Sequence, residues 1–267
     1  MNFPILLMNA AQKAAKPGLW GSFVNFLSSI LEGINFITGK IPEPFGGYGL
    51  AIILFSILMR LILLPLDLKS RKSNQQIQDI QPEVDAINKK YKNDPDKKNK
   101  KTMELYQKHE INPMGGCLPM LLQFPLFFAM VGALNSISNR EVAKGSIDAF
   151  LWIKNIWQPD SPLKALTGEA IGMFGKGFNG LFILPILAGV TSYYQMKITQ
   201  PPDSGNNANQ QMKGFTAIMP IMSVWFCMMY TASFAIYWVT TNVFQIVQQL
   251  ILKKRTPSAG KEGDRKK

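Results

Sequence analysis

Thirty-nine consecutive residues, Gly214 to Leu252, carry no charge. No other feature of the chain restricts its fold as severely, because a soluble domain cannot hide so long a run. A helix rising 1.5 Å per residue needs about 20 apolar residues to cross a hydrocarbon core of ~30 Å. As one helix the run would be roughly 58 Å long, so it should fold into two passes. Ile111 to Asn139 gives 29 more uncharged positions and Gly177 to Met196 another 20, while Pro44 to Leu66 holds a single charge, Arg60. The chain therefore reads as an all-α integral membrane protein with five transmembrane helices.

Charge placement orients it. Of the 29 Lys and Arg residues, eleven lie between Asp67 and Glu110, two between Lys197 and Lys213, and seven after Leu252. These are alternate loops, and the excess of positive charge assigns them to the cytoplasm. The N-terminus is then outside and the C-terminus inside. The net charge of +12 is not accompanied by zinc-finger spacing or an aromatic RNA-binding signature. The basic tail has two candidate partners, anionic lipid headgroups and ribosomal RNA, beside the plainer reading of a solvated stop-transfer flank.

Boundaries follow from the same pattern. Residues 1–46 form an external segment, without a charged n-region, so no cleaved signal peptide is expected. Within it Leu19 to Thr38 has polar residues at helical spacing, which suits a helix lying in the outer interface; a weakly apolar sixth span is the rival reading. The first span is 47–66. A cytoplasmic helical hairpin covers 67–112, with Ile77, Ile80, Val84, Ile87 and Tyr91 as its seam and Met103 and Tyr106 on the returning helix. The second span is 113–138, an external loop 139–179, the third span 180–199 and a cytoplasmic loop 200–211. The last two spans are 212–230 and 232–252, followed by the basic tail, 253–267. Trp152 and Trp157 of the external loop suit interface anchors. Cys117 and Cys227 fall inside spans and read as core rather than as a disulfide or metal site.

Arg60 is the residue that needs a reason. It lies six residues from the cytoplasmic end of its span, about 9 Å inward. A mid-span arginine costs about 2.5–3.5 kcal/mol on insertion scales and cannot shed its proton. None of the five spans contains Asp or Glu. They contain neutral polar residues instead: Ser56 one turn before Arg60, then Gln123, Ser192, Gln195, Tyr237, Thr240, Thr241, Asn242 and Gln245. Together these could line a wet cavity in which a cation awaits a polar or acidic polypeptide. Two plainer readings stand beside it. Arg60 could snorkel to the headgroups or reach Asp67, and each polar residue could serve as an interhelical hydrogen bond. The methionines near Met219 and Met222 would suit either core packing or an adaptable apolar surface.

The run Asn112-Pro113-Met114-Gly115-Gly116-Cys117-Leu118-Pro119-Met120, continuing to Gln123-Phe124-Pro125, resembles the second-span signature of the YidC family of membrane protein insertases. Arg60 with Leu64-Pro65-Leu66 resembles the family's first span, and Leu184-Pro185-Ile186-Leu187 with Gln195 its third. Met219-Pro220-Ile221-Met222, Tyr237-Trp238-Val239 to Asn242, and Gln248-Gln249 resemble its last two. The likeness covers roughly residues 47–252. It implies a membrane protein insertase and chaperone of the bacterial plasma (inner) membrane, with a hydrophilic groove open to cytoplasm and lipid and closed to the outside. It further implies Arg60 as the groove's charge, Ser56 as its neighbour, Gln123, Gln195 and Asn242 as lining, and Tyr237 and Trp238 as aromatics facing the client. Implied partners are nascent membrane proteins, the ribosome, the Sec translocon and anionic lipids, with the monomer as working unit. Where the family usually has a Pro-Ala-Gly turn, this chain has Thr231-Ala232-Ser233, and it lacks the large external domain before the first span, as a compact form would.

No bond chemistry is expected. Gly172 to Gly180 lacks the ending of a phosphate loop, and His109 is the sole histidine, so no enzyme activity, cofactor or metal is predicted. The rival from another class is a small channel or solute transporter using the same cavity.

Overall fold

The computed structural model describes residues 18–111, 118–160, 179, 182–199 and 207–255, which are all-helical with one isolated bridge, Phe150–Ile153. The helices are α1 (Leu19–Thr38), α2 (Gly47–Asp79), α3 (Gln81–Lys90), α4 (Pro95–Lys108), α5 (Leu118–Ala143), α6 (Ile183–Thr199), α7 (Asn207–Met229) and α8 (Ala232–Arg255). The signature residues 112–117 with Cys117, most of the glycine-rich run, the loop at 200–206, the tail beyond 255 and the Met212 side chain lie outside the described residues. Among the described residues, Gly47–Lys69 alone is a helical stretch long and apolar enough to cross a membrane by itself, with Ile218–Met229 a shorter apolar helix.

Neighbouring helices follow one another in an arc: α5 packs on α1, α1 on α2, α2 on α8, α8 on α6 and α6 on α7. α5 touches α2 only lightly, because α1 packs on both, and meets α8 through Phe127 against Phe234 and Trp238. Val24, Leu27 and Leu31 of α1 fill that position, against Ile52 and Phe55 of α2 and Met130 and Leu134 of α5. Glycine allows two close approaches. A Cβ on Gly49 would stand 2.2 Å from the Phe150 ring, and one on Gly189 of α6 would stand 2.5 Å from Val224 of α7. At its far end α1 is tied to α5 by a charge-assisted contact, Arg140 Nη2 donating to Glu32 Oε1. α1 thus has one face sealed against two helices, while Leu19, Phe26, Phe36 and Ile37 remain exposed.

The connection after α5 covers the end at which α2, α6 and α8 begin. Helix starts leave amide groups without intrahelical partners, and here the connection supplies acceptors. Ala232 and Ser233 donate to the carbonyls of Gln158 (2.9 Å) and Ile156 (2.8 Å); in the opposite sense, the Leu151 amide of the connection donates to the Pro44 carbonyl ahead of α2 (2.9 Å). Asp160 is fully buried and accepts from the amides of Phe182 (3.0 Å) and Leu184 (3.1 Å) at the head of α6. Asn179 Nδ2 donates to the carbonyls of Asn155 (2.6 Å) and Gln158 (3.0 Å), holding the turn together. Trp157, expected as an interface anchor, is instead buried edge-on against Tyr48 and donates through Nε1 to Asp148. A satisfied indole N–H lets the ring sit inside the cap rather than at its wet surface.

Packing loosens toward the opposite end. Arg60 is the last buried residue of α2 through Lys69; the described part of α5 has none before Ala129; and the continuous burial that opens α8 stops at Tyr237. All three helices therefore become more exposed over the same part of the bundle. α2 continues without a break past Leu66 to Asp79, a single helix of 33 residues in which Pro65 is tolerated. Beyond it α3 and α4 pack on each other through Ile80, Val84 and Leu105, with Ile77, Ile87 and Tyr106 against them. Asp94 starts α4 by accepting from the Lys97 amide at 3.0 Å. Met103, expected on the contact face, is 49% exposed, and Thr102 and Leu105 are buried in its place. One step of helical rotation decides this: Leu105 and Tyr106 share the seam, and Met103 lies off it.

Candidate functional site

Arg60 and Gln245 each lie thirteen residues beyond the first residue of their helices, α2 and α8, which start at the same capped end. Equal depth, about 20 Å along the axis, is what lets the two side chains meet. With its amide oxygen turned to the guanidinium, Gln245 accepts from Arg60 Nη1 at 2.5 Å and Nη2 at 2.7 Å. The reverse orientation would set N–H against N–H, so hydrogen-bond chemistry selects the oxygen-inward rotamer. The Gln245 amide nitrogen then faces Gln195 of α6 at 2.7 Å and donates to it once the Gln195 amide presents its own oxygen.

Arg60 as a whole residue is 5% exposed, more enclosed than the wet cavity expected from the sequence, with the Gln245 amide and the Tyr237 hydroxyl beside it. None of the ion pairs among the described residues includes Arg60; Asp67 contributes only a longer-range attraction. The Tyr237 hydroxyl is buried close to Arg60 and Gln123 and makes no well-formed hydrogen bond. Gln123 stands on the part of α5 that has left the packed bundle.

Ser56 and the α6–α8 residues are arranged differently. Ser56 is buried one turn from Arg60, but its proton goes to the Ile52 carbonyl at 2.6 Å, leaving only lone pairs to face anything else. Ser192 accepts from Trp238 Nε1 (3.1 Å) and Asn242 Nδ2 (2.9 Å), and Asn242 also donates to Thr191 (3.2 Å). Farther along, Gln249 donates to the Ile198 carbonyl at 3.2 Å. Residues 238, 242, 245 and 249 are spaced by four, three and four, a single stripe of α8. The interhelical reading therefore holds for Ser192 and Asn242, which join α8 to α6, and Trp238, expected as an aromatic facing the client, bonds into the same seam. Trp238 also stacks edge-on against Phe127 of α5 at 5.5 Å.

A family profile described as 60Kd inner membrane protein matches residues 40–259. The chain belongs to that family. It is 35% identical over 220 residues to the membrane protein insertase YidC of Clostridium tetani, covering 82% of this chain and 88% of that protein. It is 33% identical over 264 residues to the membrane protein insertase MisCA of Bacillus subtilis, covering 95% and 88%. The fold resembles a crystal structure of an active YidC insertase with its first transmembrane domain resolved, at a TM-score of 0.59 and 24% identity. That likeness covers 86% of this chain and 46% of the other, so this 60Kd-family member spans about half of that larger protein.

Within this 60Kd-family chain, Arg60, Gln195, Tyr237 and Gln123 come together around one point, whereas Trp238 and Asn242 belong to the adjoining seam. Gln245 belongs to the point as well. The sequence places it only among the neutral polar residues of the spans, although its spacing from Trp238 and Asn242 puts it on their stripe.

Proposed function

We propose that this protein is a membrane protein insertase of the bacterial plasma membrane, using the loosened end of the bundle as a groove that receives polar or acidic client segments. The carrying observation is Arg60: a permanent cation, almost buried, whose close partner is a neutral amide rather than a carboxylate. A cation so placed retains most of its attraction for an arriving carboxylate. The relatives' names as insertases support the same reading, and the family is one of membrane proteins without a known enzyme class.

The mechanism is transfer rather than catalysis of bonds. A short hydrophilic segment crossing hydrocarbon loses water from its backbone, at a cost of about several kcal/mol for each unsatisfied group. The loosely packed stretches of α2, α5 and α8 past Arg60 would shorten the apolar path and offer polar surface along it. Exposed apolar residues below that point, such as Leu61 and Ile62, face the lipid into which a client helix would partition. Burial of that client helix then drives the net reaction. Four more features belong to this proposal. They are five spans with the N-terminus outside, α1 embedded at the outer face, the α3–α4 hairpin in the cytoplasm, and ribosome, Sec and anionic lipid as partners of a working monomer. The cap over the start of α8 counts against a pore open at both ends.

The test is insertion of single-span clients into liposomes containing the purified protein. Arg60→Ala should slow clients with acidic leading segments while sparing neutral ones. Equal insertion of both client types by the variant and the parent would remove the charge-receptor reading.

A further inference from the structure

We infer that Gln245 is a positioning residue for Arg60 and acts as a neutral stand-in for the client carboxylate, exchanging with it during capture and release. This rests on the charge-receptor reading above. The geometry is that of a carboxylate surrogate. One amide oxygen accepts from both terminal nitrogens of the guanidinium, at 2.5 and 2.7 Å, the two donors a bidentate carboxylate would use. An amide carries no net charge, so it satisfies the donors without cancelling the field of the cation. Gln245 is half-buried where Arg60 is almost sealed, so an incoming group meets the amide before the guanidinium.

The displaced amide also has somewhere to go. Its nitrogen faces Gln195 of α6 at 2.7 Å and donates to it when Gln195 presents its oxygen, on the stripe that ties α8 to α6 through Asn242 and Ser192. A carboxylate taking the guanidinium leaves Gln245 bonded to Gln195 rather than orphaned, and release of the carboxylate returns the original pair. The resting cation is thus never bare, and no charge has to be expelled to clear it. A fixed acid in the same place would form an ion pair that a client could not readily break, because removing one partner of a buried pair is strongly unfavourable. The absence of acidic residues from the sequence at this depth fits that requirement.

The experiment compares two clients differing only in an acidic or a neutral leading segment, inserted by the full chain in liposomes, and reads the ratio of their rates. Gln245→Glu supplies a permanent competitor and should lower the acidic-to-neutral ratio by at least about tenfold, toward that of Arg60→Ala. Gln245→Met keeps the volume but removes the acceptor. It should raise crosslinking of a stalled acidic client to position 60 about threefold or more, because nothing has to be displaced. The neutral client reports on folding in both variants. If both clients slow equally in either variant, Gln245 is merely structural and the inference fails. It fails too if the parent discriminates between clients through Arg60 but neither substitution moves the ratio. If the parent itself does not discriminate and Arg60→Ala inserts normally, the receptor reading fails first and this inference falls with it.

Discussion

Replacing Asp160 by alanine should unfasten the cap from α6. The carboxylate is fully buried and accepts two amide hydrogen bonds, from Phe182 at 3.0 Å and Leu184 at 3.1 Å. Loss of a helix cap costs about 0.5–2 kcal/mol, and hydrogen bonds to a charged group contribute about 1.5–3 kcal/mol each. Some of that returns because the alanine variant no longer desolvates a carboxylate, so about 2 kcal/mol net is expected. Phe182 has φ of +58°, a conformation that a side chain such as Phe tolerates only when held, so losing its amide bond should free it. At about 1.4 kcal/mol per factor of ten, amide exchange at the head of α6 should accelerate roughly thirtyfold when opening is local. Hydrogen exchange with mass readout over 150–158 and 182–190 in detergent measures this directly. Asp160→Asn retains an acceptor and should show a smaller effect. Unchanged protection in Asp160→Ala would refute the view that this side chain fastens the cap to the bundle.

Other consequences are as specific. Gly49→Ala drives a methyl into the Phe150 ring at 2.2 Å and should destabilise the cap by about 1–3 kcal/mol, seen as a lower midpoint of thermal unfolding. Ser192→Ala leaves the Trp238 indole without its acceptor and weakens Asn242, costing about 1 kcal/mol in a membrane setting and shifting the Trp238 fluorescence. Asp148 has its carboxyl pushed up, chiefly by burial, with Trp157 opposing and Glu141 and Glu43 adding to the rise. The folded state therefore favours the proton: this stabilisation is complete below the ordinary carboxylate range and disappears as pH rises through the elevated value. Asp148→Asn should make the cap more stable at neutral pH and less sensitive to pH there, by the same exchange measurement.

Much of this architecture is written locally in the chain. The spacing of Ile77, Ile80, Val84 and Ile87 marks side chains that do meet across the hairpin, because a seam between two helices repeats every three or four residues. Met103 lies off the seam because on a short, lysine-rich helix one step of rotation turns the contact face to Thr102 and Leu105. The uninterrupted run of α2 past Leu66 is not legible, since the return of charge at Asp67 marks the end of the apolar span but not whether the helix continues. At the site, Arg60 stands out as the only charge in its span. Its partner does not, because Gln245 lies on another helix 185 positions away and joins Arg60 only through equal depth from a shared end. The cap is equally hidden: Asp160 acts on amides at the head of α6 and Asn179 on carbonyls of the connection itself, and no sequence pattern names those partners.

The most direct measurement places a photocrosslinking residue at position 60 and stalls a nascent single-span membrane protein on the ribosome beside the reconstituted protein. Adducts should form with the client's leading segment and grow stronger as acidic residues are added to it. Crosslinks confined to the outer faces of α6 and α7, indifferent to the client's charge, would contradict the account.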